Sequence, residues 1–546
     1  MAVGQATSMA LQGLDGLPVV VECDLGRGLP GVSIVGLGDA AVVQARDRIR
    51  AAMLNTGLQW PKSKVIMSLS PADVRKAGSG YDLAMIASIL MAQGGTSVAR
   101  ELLNQSVVVG ELGLDGSIRP VVGVVPIMLS AYRQGFRYVV IPRGNAADAA
   151  ELMTMLGDMV VIPVGDLGEF VSWLGTGHPP TPAGGADGVG GLASEKKGED
   201  VDIDEHDRPD LADVIGQYDA RRGLEIAAAG GHAVMLTGPP GSGKSMLAER
   251  LPTILPPMNT TEKVEAAAIH SIAGPKGNVA AIWAGRRPYV APHPSVTMAA
   301  LIGGGGSGGN PLPGAISLAH HGVLFVDEAA ETRAGVLDAL RIPLETRSVE
   351  LFRARRTVRF PAQFQLIMAA NPCQCGADQP AQCTCTSVTK RRYHTKITGP
   401  MRDRIDIFLT TQREPLLATG ADAITTVGES SAVVAQRVAE ARQRASHRWR
   451  EAGLGEAAVN ATIPGRLLRK EWCADEEGMV ALQEYVRSGE LSQRGVDRAL
   501  RVSWTLADLA GDDRPGLMHV LDAADLYADH VDSPLAASGR TGGKSA

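Results

Sequence analysis

No apolar run in this 546-residue chain approaches the ~20 residues that a membrane-spanning helix requires, and no basic segment followed by an unbroken apolar core opens it. Neither export nor membrane insertion is therefore expected, and a cytoplasmic location is. Cysteine is scarce, six in all, which excludes a disulfide scaffold and fits a reducing compartment. A basic surplus is missing too: 53 Lys and Arg stand against 59 Asp and Glu. Any contact with nucleic acid must then come from local arginine clusters, because the bulk charge argues neither way. Repeats at solenoid periods are absent, and the only low-complexity patch inside a domain is the Gly303–Gly309 run.

What the chain does contain is Gly238-Pro239-Pro240-Gly241-Ser242-Gly243-Lys244-Ser245, preceded by apolar Ala233-Val234-Met235-Leu236 and followed by helix-forming Met246 to Arg250. Strand, glycine-rich turn and helix start bring backbone N–H groups onto an anion, and the helix dipole favours negative charge there. Lys244 is expected to reach the β- and γ-phosphates of a nucleotide and Ser245 to ligate Mg²⁺. Further on, Gly322-Val323-Leu324-Phe325-Val326-Asp327-Glu328 reads as a buried parallel strand ending in two carboxylates. Asp327 suits the Mg²⁺ shell and Glu328 a general base for water. The expected chemistry is ATP hydrolysis.

The expected architecture is α/β and multidomain. Residues 1–174 alternate strand-like runs (Val19–Val21, Val65–Met67, Val107–Val109, Tyr138–Ile141) with helix-like ones (Ala40–Leu54, Leu83–Gln93). Residues 175–210 are rich in Gly, Pro and acidic side chains and read as a flexible linker. The nucleotide-binding core spans 211–414, a helical arginine-bearing domain 415–532, and a disordered tail 533–546.

With both phosphate motifs in place, the chain resembles the Mg-chelatase-like AAA+ ATPases of the YifB/ComM competence-protein family along nearly its whole length. The resemblance runs through Gly28-Leu29-Pro30, Ile34-Val35-Gly36-Leu37, Ser70-Pro71-Ala72-Asp73, Val214-Ile215-Gly216-Gln217, Asn371-Pro372-Cys373 and Gly399-Pro400-Met401-Arg402-Asp403-Arg404-Ile405-Asp406. It implies a ring, a homo-hexamer, with ATP between subunits. It also implies that Asn371 orients the lytic water, that Arg404 is the arginine finger offered to the neighbouring subunit, and that Arg494 is the second sensor on a helical lid, with Arg498 its rival. Two departures are His293-Pro294, where paired histidines are common, and the absence of Leu after Asp327-Glu328.

In the MCM and Mg-chelatase branch, an insertion interrupts a helix between the two phosphate motifs and an inserted hairpin precedes the sensor strand. Ser348–Phe360 resembles that hairpin and carries Arg353, Arg355, Arg356 and Arg359. Two readings stand: arginines on nucleic-acid phosphates, or a solvated ribbon paired with carboxylates. The N-terminal domain resembles the Lon-protease-like, S5-type module, but Gly80 and Val125 stand where its serine and lysine would fall. Ser79 is one position off, Lys76 could not restore the dyad, and no peptidase activity is expected.

Cys373-x-Cys375 and Cys383-x-Cys385 bring four thiols close in sequence. They suit a tetrahedral Zn²⁺ site, although C-x-C is tighter than the usual C-x₂-C, and reduced thiols or a redox pair remain open. Cys23 and Cys473 read as ordinary buried thiols, and His293, His320 and His321 as structural histidines. The function expected is a motor remodelling or translocating on DNA, as in branch migration. The alternatives are a chelatase-type motor acting on a protein partner and an adaptor or assembly protein with no nucleic-acid role.

Overall fold

The computed structural model describes the whole chain except residues 1–2, 37, 75, 181–208, 306–310, 354–355, 378–381, 414–427, 456–457 and 528–546. Most of the expected linker, Arg355 of the expected hairpin and the expected tail fall outside the described residues. Where the linker's ends are described, a helix spans Leu167–Thr176, and Asp210 caps the turn Leu211–Asp213.

The N-terminal part is built on seven strands: β1 (Gly4–Gln12), β2 (Asp15–Gly26), β3 (Gly31–Val35), β4 (Lys64–Ser70), β5 (Ser106–Val108), β6 (Tyr138–Pro142) and β7 (Val160–Val164), in the order β3-β4-β2-β1-β5-β6-β7. Each strand-like run read from the sequence lies in or overlaps one of these strands. The helix-like runs became α1 (Ala40–Asn55) and α2 (Asp82–Ala92). α2 is buried almost throughout, which explains its nearly unbroken apolar sequence.

The central part carries a five-stranded sheet: β8 (Val234–Thr237), β9 (Tyr289–Val290), β10 (Val323–Val326), β13 (Gln365–Ala370) and β14 (Ile407–Thr410), ordered β9-β10-β13-β8-β14 and parallel at every pairing. The continuous apolar runs of β8, β10 and β13 follow from burial on both faces. Between β10 and β13, β11 (Ser348–Arg353) and β12 (Arg356–Pro361) form the expected antiparallel hairpin. Between the two phosphate motifs, Gly303–Gly304 pairs with Leu312–Pro313, separating the short helices Met298–Ile302 and Ala315–Leu318.

The N-terminal and central parts share a core. Helix α3 (Val124–Arg133) packs with Ala266, Ala267 and Trp283 of the central part, Trp283 Nε1 donates to the Asp148 carbonyl at 2.8 Å, and Gly123 N–H donates to the Ser271 carbonyl at 3.0 Å. The C-terminal part is helical, as expected: α7 (Ser431–Glu451), α8 (Glu476–Arg487), α9 (Gln493–Ala510) and α10 (Leu517–Tyr527). Three indoles, Trp449, Trp472 and Trp504, meet edge to face at 5.5–6.1 Å inside it. Helices α7 and α9 pack on α4 (Tyr218–Gly230), and α7 also packs on α5 (Lys244–Ile254). Among the described residues, no helix is long and apolar enough to cross a membrane.

Candidate functional site

In a parallel sheet, ligands gather at the carboxyl ends of the strands. At that edge, β8 runs into Gly238–Gly243 and α5 begins at Lys244. Gly241 and Gly243 have φ of 75° and 82°, left-handed values that strain any other residue, and Gly243 stands at the start of α5. Strand order then decides the neighbours. β13 and β14 flank β8, so Asn371 and Thr411 both fall beside the loop.

Lys244 Nζ donates to the carbonyls of Gly238 (2.8 Å) and Pro239 (2.9 Å) and to Asn371 Oδ1 (3.1 Å). Burial lowers its pKa below the ordinary lysine value, against the pull of Asp327 and Glu328. Ser245 Oγ donates to Asp327 Oδ2 at 2.9 Å. Glu328 N–H donates to Asp327 Oδ1 at 2.8 Å, and Glu328 is solvent-exposed with φ 47°. A glycine-rich turn at a helix N-terminus, a lysine, and a hydroxyl already joined to a carboxylate fit a Mg²⁺–nucleotide.

Three neighbours escaped the sequence reading as individual site residues. Thr411 shares a hydroxyl hydrogen bond with Ser242 at 2.6 Å. Gln217 bonds the Gln412 carbonyl and has φ 51°, and Arg413 donates to the Pro240 carbonyl at 3.0 Å. Only Gln217 carried a signal, as part of the Val214–Gln217 resemblance.

The expected arginines stand at the opposite edge. Arg404, Arg494 and Arg498 line a cleft of about 500 Å³ with Arg347, Arg442 and Arg501, beside the first residues of β8, β13 and β14. Arg404 binds Glu345 and the Pro400 carbonyl. Arg494, with its side chain 71% exposed, pairs with Asp403 at 2.7 Å. Arg498 is buried against Asp406 at 3.2 Å. Burial alone would raise the Asp406 pKa, but His232 (Nδ1 at 3.3 Å) and the charges of Arg498 and Arg501 bring it below the ordinary carboxylate value. The structure thus brings Lys244, Ser245, Asp327, Glu328 and Asn371 together and sets Arg404 and Arg494 apart from them.

On the hairpin, Val349, Val358 and Phe360 are buried while Phe352 is 76% exposed. Arg359 is exposed and stands opposite Glu350 in the ladder. Arg355 and the side chains of Arg353 and Arg356 lie outside what is described.

The four thiols converge, their sulfurs all within 4.8 Å of one another. Cys373 is buried, and burial pushes its thiol up to about 12, whereas a hydrogen bond from Cys373 draws Cys375 down to about 6. Cys23 is buried; Cys473, only partly so, accepts from Arg514 at 3.0 Å. His320 is buried, with Nδ1 accepting from Gln363 N–H and Nε2 bonded to Glu265, while His293 is exposed beside Ser295. In the N-terminal part, Lys76 is fully buried on the Pro71 carbonyl, Ser79 donates to Glu111, and buried Val125 donates its N–H to Ser271 Oγ at 3.4 Å.

A glycine-rich loop, a sheet-end carboxylate pair and an asparagine on the adjoining strand define a P-loop nucleotide-binding protein. Known proteins narrow the class. Residues 210–418 match the profile of magnesium chelatase, subunit ChlI; residues 21–145 and 428–526 match those of subunit ChlI of Mg-chelatase and of its C-terminal region. The chain is 45% identical over 524 residues to an uncharacterized protein of Mycobacterium tuberculosis (96% of this chain, 98% of the relative). It is 35% identical to YifB of Escherichia coli over 529 residues (97% of each) and 35% identical to competence protein ComM of Haemophilus influenzae over 525 residues (96% and 97%). A stretch of 177 residues is 27% identical to Lon protease of Mycolicibacterium smegmatis, covering 31% of this chain and 22% of that protein. The chain belongs to the YifB/ComM family of magnesium-chelatase-like AAA+ ATPases, a membership that implies ATP and Mg²⁺.

Proposed function

We propose that this protein is an ATP-hydrolysing motor, working as a homo-hexameric ring, that remodels or translocates on DNA. The observation that carries the ring is the split between the two sheet edges. Arg404 and Arg494 flank the amino edge, whereas Lys244, Asp327 and Glu328 occupy the carboxyl edge. A second copy docked edge to edge brings one chain's arginines to the other's phosphates.

Within that centre, the backbone N–H groups of Gly241, Gly243, Lys244 and Ser245 and the Lys244 ammonium bind the phosphates, and Ser245 and Asp327 would hold the metal ion. Bound Mg²⁺ neutralises phosphate charge. Glu328 takes the proton of the attacking water, Asn371 orients that water, and Arg404 from the adjacent copy stabilises the charge that builds up in transfer. Arg494 serves as the second sensor, supplied by the same copy as Arg404.

DNA is favoured as the substrate by the hairpin, where exposed Phe352 and Arg359 flank a tip whose sequence adds Arg353, Arg355 and Arg356. Phosphates and stacked bases suit such a set. A relative being a competence protein agrees with this substrate.

The decisive experiment measures steady-state ATP hydrolysis with single-stranded, double-stranded or branched DNA, or none, with Glu328→Gln as control. The expected result is hydrolysis stimulated by DNA and abolished in the control. Control-sensitive hydrolysis indifferent to every DNA would overturn the DNA assignment in favour of a protein partner.

A further inference from the structure

Between Asn371 and the helix Ser387–His394, the described residues form no β-strand and no α-helix. Such a stretch has little apolar surface to fix it, yet it follows directly on the asparagine that contacts Lys244. What it does have is four convergent sulfurs. Cys373 lies 3.2 Å from Cys375 and 3.4 Å from Cys383, and Cys375 lies 3.5 Å from Cys383. Cys385 completes a group that spans no more than 4.8 Å.

These separations exceed by far the ~2.05 Å of a disulfide. The three shortest fall a few tenths of an ångström below the ~3.8 Å between ligands that stand ~2.3 Å from a tetrahedral zinc ion, and the 4.8 Å limit of the group lies above it. Hydrophobic packing does not explain the cluster either. Only Cys373 is buried; Cys375 is exposed, and Cys383 and Cys385 are partly so, whereas thiols that act as small apolar side chains are buried. Among the described residues no histidine or carboxylate joins the group, and a purely thiolate set selects a soft or borderline ion in closed tetrahedral geometry. The other cluster with metal-ligand chemistry, Glu265 with His320 and His321, is occupied differently: His320 uses both ring nitrogens, and His321 Nε2 is bonded to Glu265 at 2.7 Å.

We propose that Cys373, Cys375, Cys383 and Cys385 form a structural tetrathiolate zinc site that fixes the sensor loop on the phosphate loop. Zinc binding displaces the thiol protons to solvent. The second half of the proposal rests on a close approach. Gly376 follows Cys375 and meets the phosphate loop, where an added Cβ would stand 2.9 Å from Pro240 Cγ. A metal clamped on both sides of that contact holds Asn371 and Pro240 in one register. The site stands on the cysteines alone and does not depend on the DNA reading.

The test is metal analysis of the full chain, purified under reducing conditions without chelator. The expected content is about one zinc per chain, lost in Cys383→Ser/Cys385→Ser and retained in Cys473→Ser. Wild-type protein reconstituted with Co²⁺ supplies a second readout that does not depend on the folding of the double variant. Thiolate-to-cobalt charge transfer with intense tetrahedral ligand-field bands supports the site, and the weak bands of an octahedral ion overturn it. Absence of zinc even after incubation with the ion, iron with labile sulfide in its place, or disulfides among the four in the purified protein would each overturn the proposal.

Discussion

The two edges of the central sheet are built from opposite materials. The carboxyl edge is glycine-rich: backbone amides are its main donors, and its few charges are held against one another, Lys244 on carbonyls and Asn371, Ser245 on Asp327. At the amino edge the donors are guanidinium groups, three from α9 and one from the segment before β14, each tied to a carboxylate or carbonyl: Arg404 to Glu345, Arg494 to Asp403, Arg498 to Asp406, Arg501 to the Ile463 carbonyl. Amides in a rigid loop recognise phosphate without moving. Arginines on exposed carboxylates can exchange one anion for another at little cost. The pairing of a fixed cradle with exchangeable cations is what a centre shared between two copies needs.

Arg404→Ala gives the largest expected effect on this comparison. Its hydrolysis rate should fall about 10³-fold or more, the scale of a lost arginine finger, while nucleotide binding persists. Mixing sharpens the result. Glu328→Gln chains are themselves inactive but carry an intact Arg404, so co-assembly with Arg404→Ala chains should restore hydrolysis at mixed interfaces. No recovery in mixtures shown to co-assemble would mean that Arg404 serves its own chain, and the two edges would not be halves of one centre.

A smaller effect separates Arg498 from Arg494. Arg498→Ala leaves Asp406 buried with only His232 and the Ala233 N–H as close partners, and breaking a buried pair costs about 3–5 kcal/mol. Arg494→Ala removes an exposed pair worth about 1 kcal/mol or less, so its unfolding midpoint should barely move while its turnover drops. Denaturant unfolding read beside turnover checks both. The reverse pattern would make Arg498 the residue aimed at nucleotide and Arg494 a surface charge.

The same contrast explains what could be read from the chain. The carboxyl edge was legible because its chemistry is contiguous: eight residues and one strand end name their own roles. Its finer parts were not, since Thr411 and Arg413 reach the loop only through the placement of β14 beside β8, and nothing local forces Glu328 to φ 47°. The amino edge was the reverse. Arg347, Arg442 and Arg501 come from three separate elements and carry no local pattern, so only the folded chain collects them. Arg404 and Arg494 were singled out by resemblance alone, which gave no edge of the sheet. For the cysteines, spacing suggested two pairs, but convergence into one group depends on a loop conformation that C-x-C does not dictate.

The smallest expected effect is a difference in titration between the edges. Near the amino edge, His270 and His320 are buried, and burial lowers both pKa values. Each ring is held neutral: His270 Nδ1 accepts from Asn278 N–H at 3.0 Å while Nε2 bonds the Leu318 carbonyl, and His320 Nδ1 accepts from Gln363 N–H. A base whose folded pKa is depressed takes up its proton first in the unfolded chain, so stability falls as pH drops through the unfolded value of about 6.5. Glu265, whose pKa is lowered by hydrogen bonds from His320 and His321, also contributes stability that acid removes, but only in the carboxylate range below. At the carboxyl edge the sensitive group is Lys244, whose lowered pKa makes nucleotide affinity fade on the alkaline side sooner than an ordinary lysine would. Thermal unfolding without nucleotide should therefore show a midpoint that declines from pH 7.5 to 5.5. His270→Gln, which keeps a donor and an acceptor without a titrating ring, should flatten part of that slope. A midpoint constant across this range would mean that neither histidine is held neutral, and the acid response would not distinguish the two edges.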